Sequence, residues 1–136
     1  LACDSFPEDS LNQLKKNLDS QEILLNQQQI LSNSKEWLRR FYELDENFHS
    51  IIFQSHRRST TWKVIKQTAS HYHRMITLSR TDSHFKQIIA EHKDILSIIE
   101  NKEIEQVESV LKSHILKPVY DWRKVGVEYM SQYCKC

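Results

Sequence analysis

Glycine is nearly missing from this chain, which has one in 136 residues alongside two prolines. That scarcity excludes a many-stranded sheet, because tight strand connections need residues that accept positive φ or preset a turn. Cysteine is scarce as well: Cys3, Cys134 and Cys136 are odd in number and sit at the two extremes of the chain, the wrong placement for disulfides that staple a core. They read as exposed terminal thiols, and nothing near Cys134-x-Cys136 would complete a four-ligand metal site. No apolar run approaches the roughly 20 residues of a membrane span. The N-terminus also lacks the charged-then-apolar layout of a secretory signal, so a cytoplasmic chain without membrane contact is expected. A surplus of charge is absent too, with 19 basic against 18 acidic side chains, and no net field selects nucleic acid or membrane.

What is present is an ordinary globular composition, 39% hydrophobic and 27% charged, in a chain long enough to bury one core. Leucine, isoleucine, glutamine, glutamate and lysine dominate, and all of them tolerate helices. Pro7 suits a first helical position, and Leu11, Leu14, Leu18 and Leu24-Leu25 recur at mostly helical spacing through about Leu31. After the polar break Ser32-Asn33-Ser34, a second helix carries Trp37, Leu38, Phe41, Phe48 and Ile52 on one face and ends near His56-Arg57-Arg58-Ser59. A third carries Trp62, Ile65, Ala69, Tyr72 and Ile76 and stops around Arg80-Thr81-Asp82-Ser83. The fourth, from about His84 to Glu100, places Phe85, Ile88, Ile89, Leu96 and Ile99 on a stripe. Asn101 is expected to cap a fifth helix with Ile104, Val107 and Leu111, which Pro118 kinks or splits. There is no repeat, low-complexity segment or flexible linker, so residues 1–136 are expected to form one all-α domain, an antiparallel bundle of about six helices.

Three of these stripes are interrupted by polar residues. Asp45 falls on the stripe of the second helix, with His49 one turn later and facing nearly the same way. His92 fills the position between Ile89 and Leu96, and His114 continues the line of Val107 and Leu111. Burying a carboxylate and imidazoles without partners costs several kcal/mol, and one divalent cation satisfies all four groups together. An aspartate with three histidines suits zinc, nickel, manganese or iron and is poorly matched to calcium. Each interruption alone reads more simply as a hydrogen-bonded core residue; their recurrence on three helices favours the metal. His56, His71, His73 and His84 fall at helix ends or on polar faces and read as solvated.

The run Leu44-Asp45-Glu46-Asn47-Phe48-His49, then Glu91-His92 followed by Ile95-Leu96, then Val110-Leu111-Lys112-Ser113-His114-Ile115, resembles the effector-binding (FCD) domain of GntR-family transcription regulators, in the FadR-like subfamily. The resemblance implies an antiparallel helical bundle that holds a metal, zinc foremost, through Asp45, His49, His92 and His114. It further implies a small carboxylate effector reaching that metal, a homodimer, and DNA contact only through an N-terminal winged helix-turn-helix domain that this chain does not contain. A carboxylate needs a cation opposite, and Arg74 is the candidate, since guanidinium holds carboxylate in a bidentate fork; a place on the solvated face of the third helix is its alternative. Where the family carries a Gly-Asn-like turn before the third helix, Arg57-Arg58-Ser59 stands here, which puts the geometry of that loop in question.

Two other functions remain to be weighed. A metal-dependent enzyme acting on a small carboxylate would need a base or nucleophile. Glu46 and Glu91 adjoin expected ligands but lie about a quarter-turn off the ligand-bearing stripe, and no other motif supplies one, so no enzymatic activity is expected. A di-iron bundle needs Glu-x-x-His twice, and only Glu46-x-x-His49 fits. A purely structural metal in a dimerisation module differs from a sensor in having a closed coordination sphere.

Overall fold

The computed structural model describes residues 5–31, 35–68 and 82–115. These residues are helical with no strand among them. The helices are α1 (Glu8–Leu31), α2 (Lys35–Ser55), α3 (Ser59–Thr68), α4 (Asp82–Asn101) and, after the 3₁₀ turn Ile104–Gln106, residues 107–115 as α5. The expected all-α bundle is what forms. The last turns of the expected third helix, Arg74, His71, His73, Pro118 and the three cysteines lie outside the described residues.

The Pro7 carbonyl accepts the Leu11 amide at 3.0 Å, so the proline opens α1 at a point where its missing N–H costs nothing, and Glu8 and Asp9 set negative charge against the helix dipole. Pairwise contacts fix the directions. Trp37 Nε1 donates to the Leu24 carbonyl at 2.8 Å and Asn17 Nδ2 donates to the Leu44 carbonyl at 3.0 Å, so α1 and α2 run antiparallel. Lys15–Glu100 and Lys93–Glu22 pair α1 antiparallel to α4. Phe85 meets Trp37 and Phe41 while Phe48 meets His92, which makes α2 and α4 parallel. The core lies where these three helices meet, around Leu14, Leu18, Trp37, Phe41, Phe48, Phe85, Ile89 and Leu96. α3 turns back along α2, with Trp62 against His49 and Phe53.

With so little glycine, two helices end on charged residues in the left-handed region. At the end of α2, Arg57 has φ 56°, its amide bonds to the Gln54 carbonyl, and the Arg58 amide reaches the Phe53 carbonyl at 2.8 Å. This is a Schellman closure with arginine where glycine is usual. The loop therefore keeps a left-handed turn without a Gly-Asn pair. At the end of α4, Lys102 has φ 57° and the Glu103 amide reaches the Ile98 carbonyl at 3.1 Å.

Two expectations need correction here. Asn101 does not cap the fifth helix; it is the last residue of α4. Ile104 and Leu111 do not face the core, being 57% and 40% exposed, and Val110 packs against it instead. The 3₁₀ turn Ile104–Gln106 advances three residues per turn and so takes Ile104 out of line with α5, whose half-buried residues are Val107, Val110 and His114.

Candidate metal centre

Three of the four expected ligands, His49, His92 and His114, are presented by their helices to one point, and Asp45 stands beside two of them. Asp45 and His49, one turn apart on α2, are both 21% exposed; His92 on α4 is fully buried and His114 on α5 is 13% exposed. One ligand atom from each of His49, His92 and His114 lies within 4.8 Å of the others. His49 Nε2 faces His114 Nε2 at 3.3 Å. Asp45 Oδ1 is 3.4 Å from His92 Nε2 and 3.9 Å from His49 Nε2. The sequence-derived residues Asp45, His49, His92 and His114 are thus brought together, with Asp45 beside two of the three histidines.

Metal–nitrogen bonds of 2.0–2.1 Å in a tetrahedron put neighbouring donors roughly 3.4 Å apart. The His49–His114 and Asp45–His92 separations match that edge. His92 Nε2 is a buried polar atom without a hydrogen-bond partner, which costs free energy unless something else accepts its lone pair. Burial holds the His92 imidazole well below the ordinary histidine range, and the neighbouring His49 and His114 push it the same way. A neutral imidazole with an unused nitrogen is the form that binds a metal. The three histidines could hold a divalent ion, and the nitrogen-rich donor set fits one of the transition series.

The rings are held from behind. Phe48 stacks on His92 with centroids 4.2 Å apart and 15° between planes, and Trp62 stacks on His49 at 5.7 Å. His92 Nδ1 lies 2.9 Å from Gln21 Oε1, and His114 Nδ1 lies 2.9 Å from Glu91 Oε2. Gln21 Nε2 donates in turn to Asn17 Oδ1 at 2.7 Å, and Gln87 Nε2 donates to Glu91 Oε1 at 2.8 Å. Asn17, Gln21 and Glu91 are all buried.

Sequence reasoning missed these three, yet the signal was the one that found the histidines. Gln21 continues the Leu14, Leu18 line of α1 at helical spacing, and Glu91 stands on a second stripe of α4 with Ile88, Ile95 and Ile98. Glu91 is a quarter-turn from His92 as expected, but α4 is buried on both stripes, so the offset does not carry it to solvent. Glu46, by contrast, pairs with Lys66 at the surface. His56 and His84 are half-buried rather than solvated. The His56 ring lies 5.5 Å from that of Phe6 and its Nδ1 is 2.8 Å from Ser55 Oγ, while His84 packs edge-on against Phe85.

The FCD domain family matches residues 1–117, and the chain belongs to that family. Among curated relatives, the HTH-type transcriptional repressor RspR of Escherichia coli (strain K12) is 26% identical over 115 residues, 84% of this chain and 47% of its own length. The uncharacterized HTH-type transcriptional regulator YdfH of Shigella flexneri matches with the same identity and coverage. The chain thus spans about half the length of these relatives, which are named as transcription regulators rather than enzymes. No solved structure gives a significant match. Among the described residues no helix is long and apolar enough to cross a membrane.

Proposed function

We propose that this chain is the effector-sensing domain of a cytoplasmic, GntR-type transcription regulator of the FadR subfamily, working as a homodimer. It holds a divalent transition metal, zinc first among zinc, nickel, manganese and iron, through Asp45, His49, His92 and His114. A small carboxylate metabolite binds at that metal, with Arg74 as its cation. DNA is contacted through a helix-turn-helix domain outside these residues. The observation behind this is the convergence of three imidazoles, with the Asp45 carboxylate beside two of them, at a His92 Nε2 that makes no hydrogen bond.

Bound metal supplies a Lewis-acidic position for an anionic effector. The chain's own residues do the rest. Asp45 contributes the negative charge, Phe48 and Trp62 fix two rings against rotation, and the partial exposure of Asp45, His49 and His114 leaves one side of the centre accessible. An effector that favours one packing of α2, α4 and α5 over another shifts the regulator by that difference in affinity, which equals its coupling to DNA binding. An enzymatic role is disfavoured by the carboxylates next to the ligands: Glu46 is engaged with Lys66, and Glu91 with His114 and Gln87, so neither is placed as a general base.

The test is metal content by mass spectrometry on the purified chain and on Asp45→Ala and His92→Ala. About one equivalent of a transition metal in the wild type, lost in both variants, is expected for a four-ligand site. No metal after reconstitution would overturn the proposal. Carboxylates are then screened by thermal shift on the loaded protein, with Arg74→Ala expected to keep the metal and lose the effector response.

A further inference from the structure

We infer that Gln21 and Glu91 are the positioning residues of the metal centre, each fixing one histidine by its Nδ1–H so that both present Nε2 inward. The inference rests on the metal reading above and assigns roles to two side chains that do not themselves reach the ion. A neutral imidazole carries one N–H, and whichever nitrogen finds an acceptor keeps it. At His92 the acceptor on Nδ1 is the Gln21 amide oxygen at 2.9 Å. The amide cannot be turned round without loss, because its nitrogen is committed to Asn17 Oδ1 at 2.7 Å, and the Asn17 nitrogen is committed to the Leu44 carbonyl at 3.0 Å. Each link in this chain is oriented by the one before it, beginning at a backbone carbonyl that can only accept. Leu44 directly precedes Asp45, so the relay starts beside one ligand and ends on another, passing through α1.

At His114 the acceptor is a carboxylate. Glu91 Oε2 is 2.9 Å from Nδ1, and Oε1 takes the Gln87 amide at 2.8 Å, which sets the carboxylate plane. A carboxylate cannot donate when ionised, so His114 must place its proton on Nδ1 and its lone pair on Nε2, the atom that faces His49. The two supports differ in kind. Glu91 adds negative charge, which would stabilise a cation held beyond His114, whereas Gln21 orients without charge. Both are buried, so water does not compete for either acceptor.

The experiment measures zinc affinity by chelator competition, and the cobalt(II) absorption spectrum, for the wild-type chain, Glu91→Gln, Glu91→Ala, Gln21→Met and Gln21→Glu. Glu91→Ala and Gln21→Met remove the acceptor and are expected to weaken zinc by about 10–100-fold and to alter the cobalt bands. Gln21→Glu, which restores an acceptor, is expected to recover affinity relative to Gln21→Met. Glu91→Gln keeps an acceptor but loses the charge and should fall between wild type and Glu91→Ala. Nitrogen NMR of the imidazole rings in the metal-free wild type reads the tautomers directly, without any variant having to fold. Nδ1–H on both His92 and His114 is expected; Nε2–H on either would overturn the inference, as would folded Glu91→Ala and Gln21→Met variants that bind zinc as the wild type does. A wild type that takes up no metal would sink the metal reading alone, since the tautomers would still report whether Gln21 and Glu91 set them.

Discussion

His49 Nε2 and His114 Nε2 point at one another across 3.3 Å, although the two residues stand 65 apart in the chain. Two neutral rings can share that contact only if one donates and the other accepts. His114 gives its Nδ1–H to Glu91, so in the metal-free protein the proton between the rings belongs to His49. A metal ion held there would take the place of that proton and accept both lone pairs.

Removing either ring should therefore abolish the stabilisation that metal confers. An ion at a thousand times its Kd stabilises a folded chain by about 4 kcal/mol. In thermal melts with and without chelator, the wild type is expected to show the full metal increment, His49→Ala and His114→Ala none of it, and His56→Ala all of it. Equal increments in all three variants would remove the two rings from the ligand set.

Acid should destabilise the metal-free protein earlier than carboxylate titration explains. The His92 ring is held below its ordinary value of 6.5 by burial and by His49 and His114, with Asp45 the facing carboxylate. Unfolded, it takes up a proton near 6.5; folded, it does so only at lower pH. The unfolded state thus binds more protons in that window, and stability rises with pH through it. Stability is complete above 6.5 and falls as pH drops from there toward the folded value. Urea midpoints across this range should decline, and in His92→Gln the decline should flatten. An unchanged slope in that variant would show that His92 is not the group responsible.

Lys102→Gly should stabilise the chain. A side chain at φ 57° carries a left-handed penalty of about 1 kcal/mol that glycine escapes, partly offset by glycine's greater freedom when unfolded. A gain of about 0.5–1 kcal/mol in denaturant melts is expected, with no change in metal uptake. A loss would mean that the lysine side chain contributes more at the end of α4 than its backbone costs.

The bundle and the faces that carry Asp45 and the three clustered histidines were legible because burial follows the helical period closely. His92 announced itself by standing between Ile89 and Leu96, and Asp45 by sharing a face with Phe41 and Phe48. Glu91 and Gln21 obey the same rule, but their stripes look complete without them: α4 has so many isoleucines that a second face goes unnoticed, and Gln21 is an ordinary helix former. The inward line of α5 was misjudged by one residue, since Val110 and Leu111 are adjacent apolar side chains and both keep helical spacing with Val107 and His114. Arg57 was flagged as a departure from the family's turn, yet the turn survives, because the closing hydrogen bonds are made by the backbone whatever the side chain.

The contact between Gln21 and His92 spans 71 residues of chain, and that between His49 and His114 spans 65. Contacts of such sequence separation require large loops to close and tend to form after the local helices and their nearest packing partners. The centre is then expected to be absent from the transition state for folding and to form with the finished bundle. A metal bound there would act as a brake on unfolding while leaving the folding rate almost untouched, so occupancy would set the lifetime of the folded domain more than the speed at which it is made.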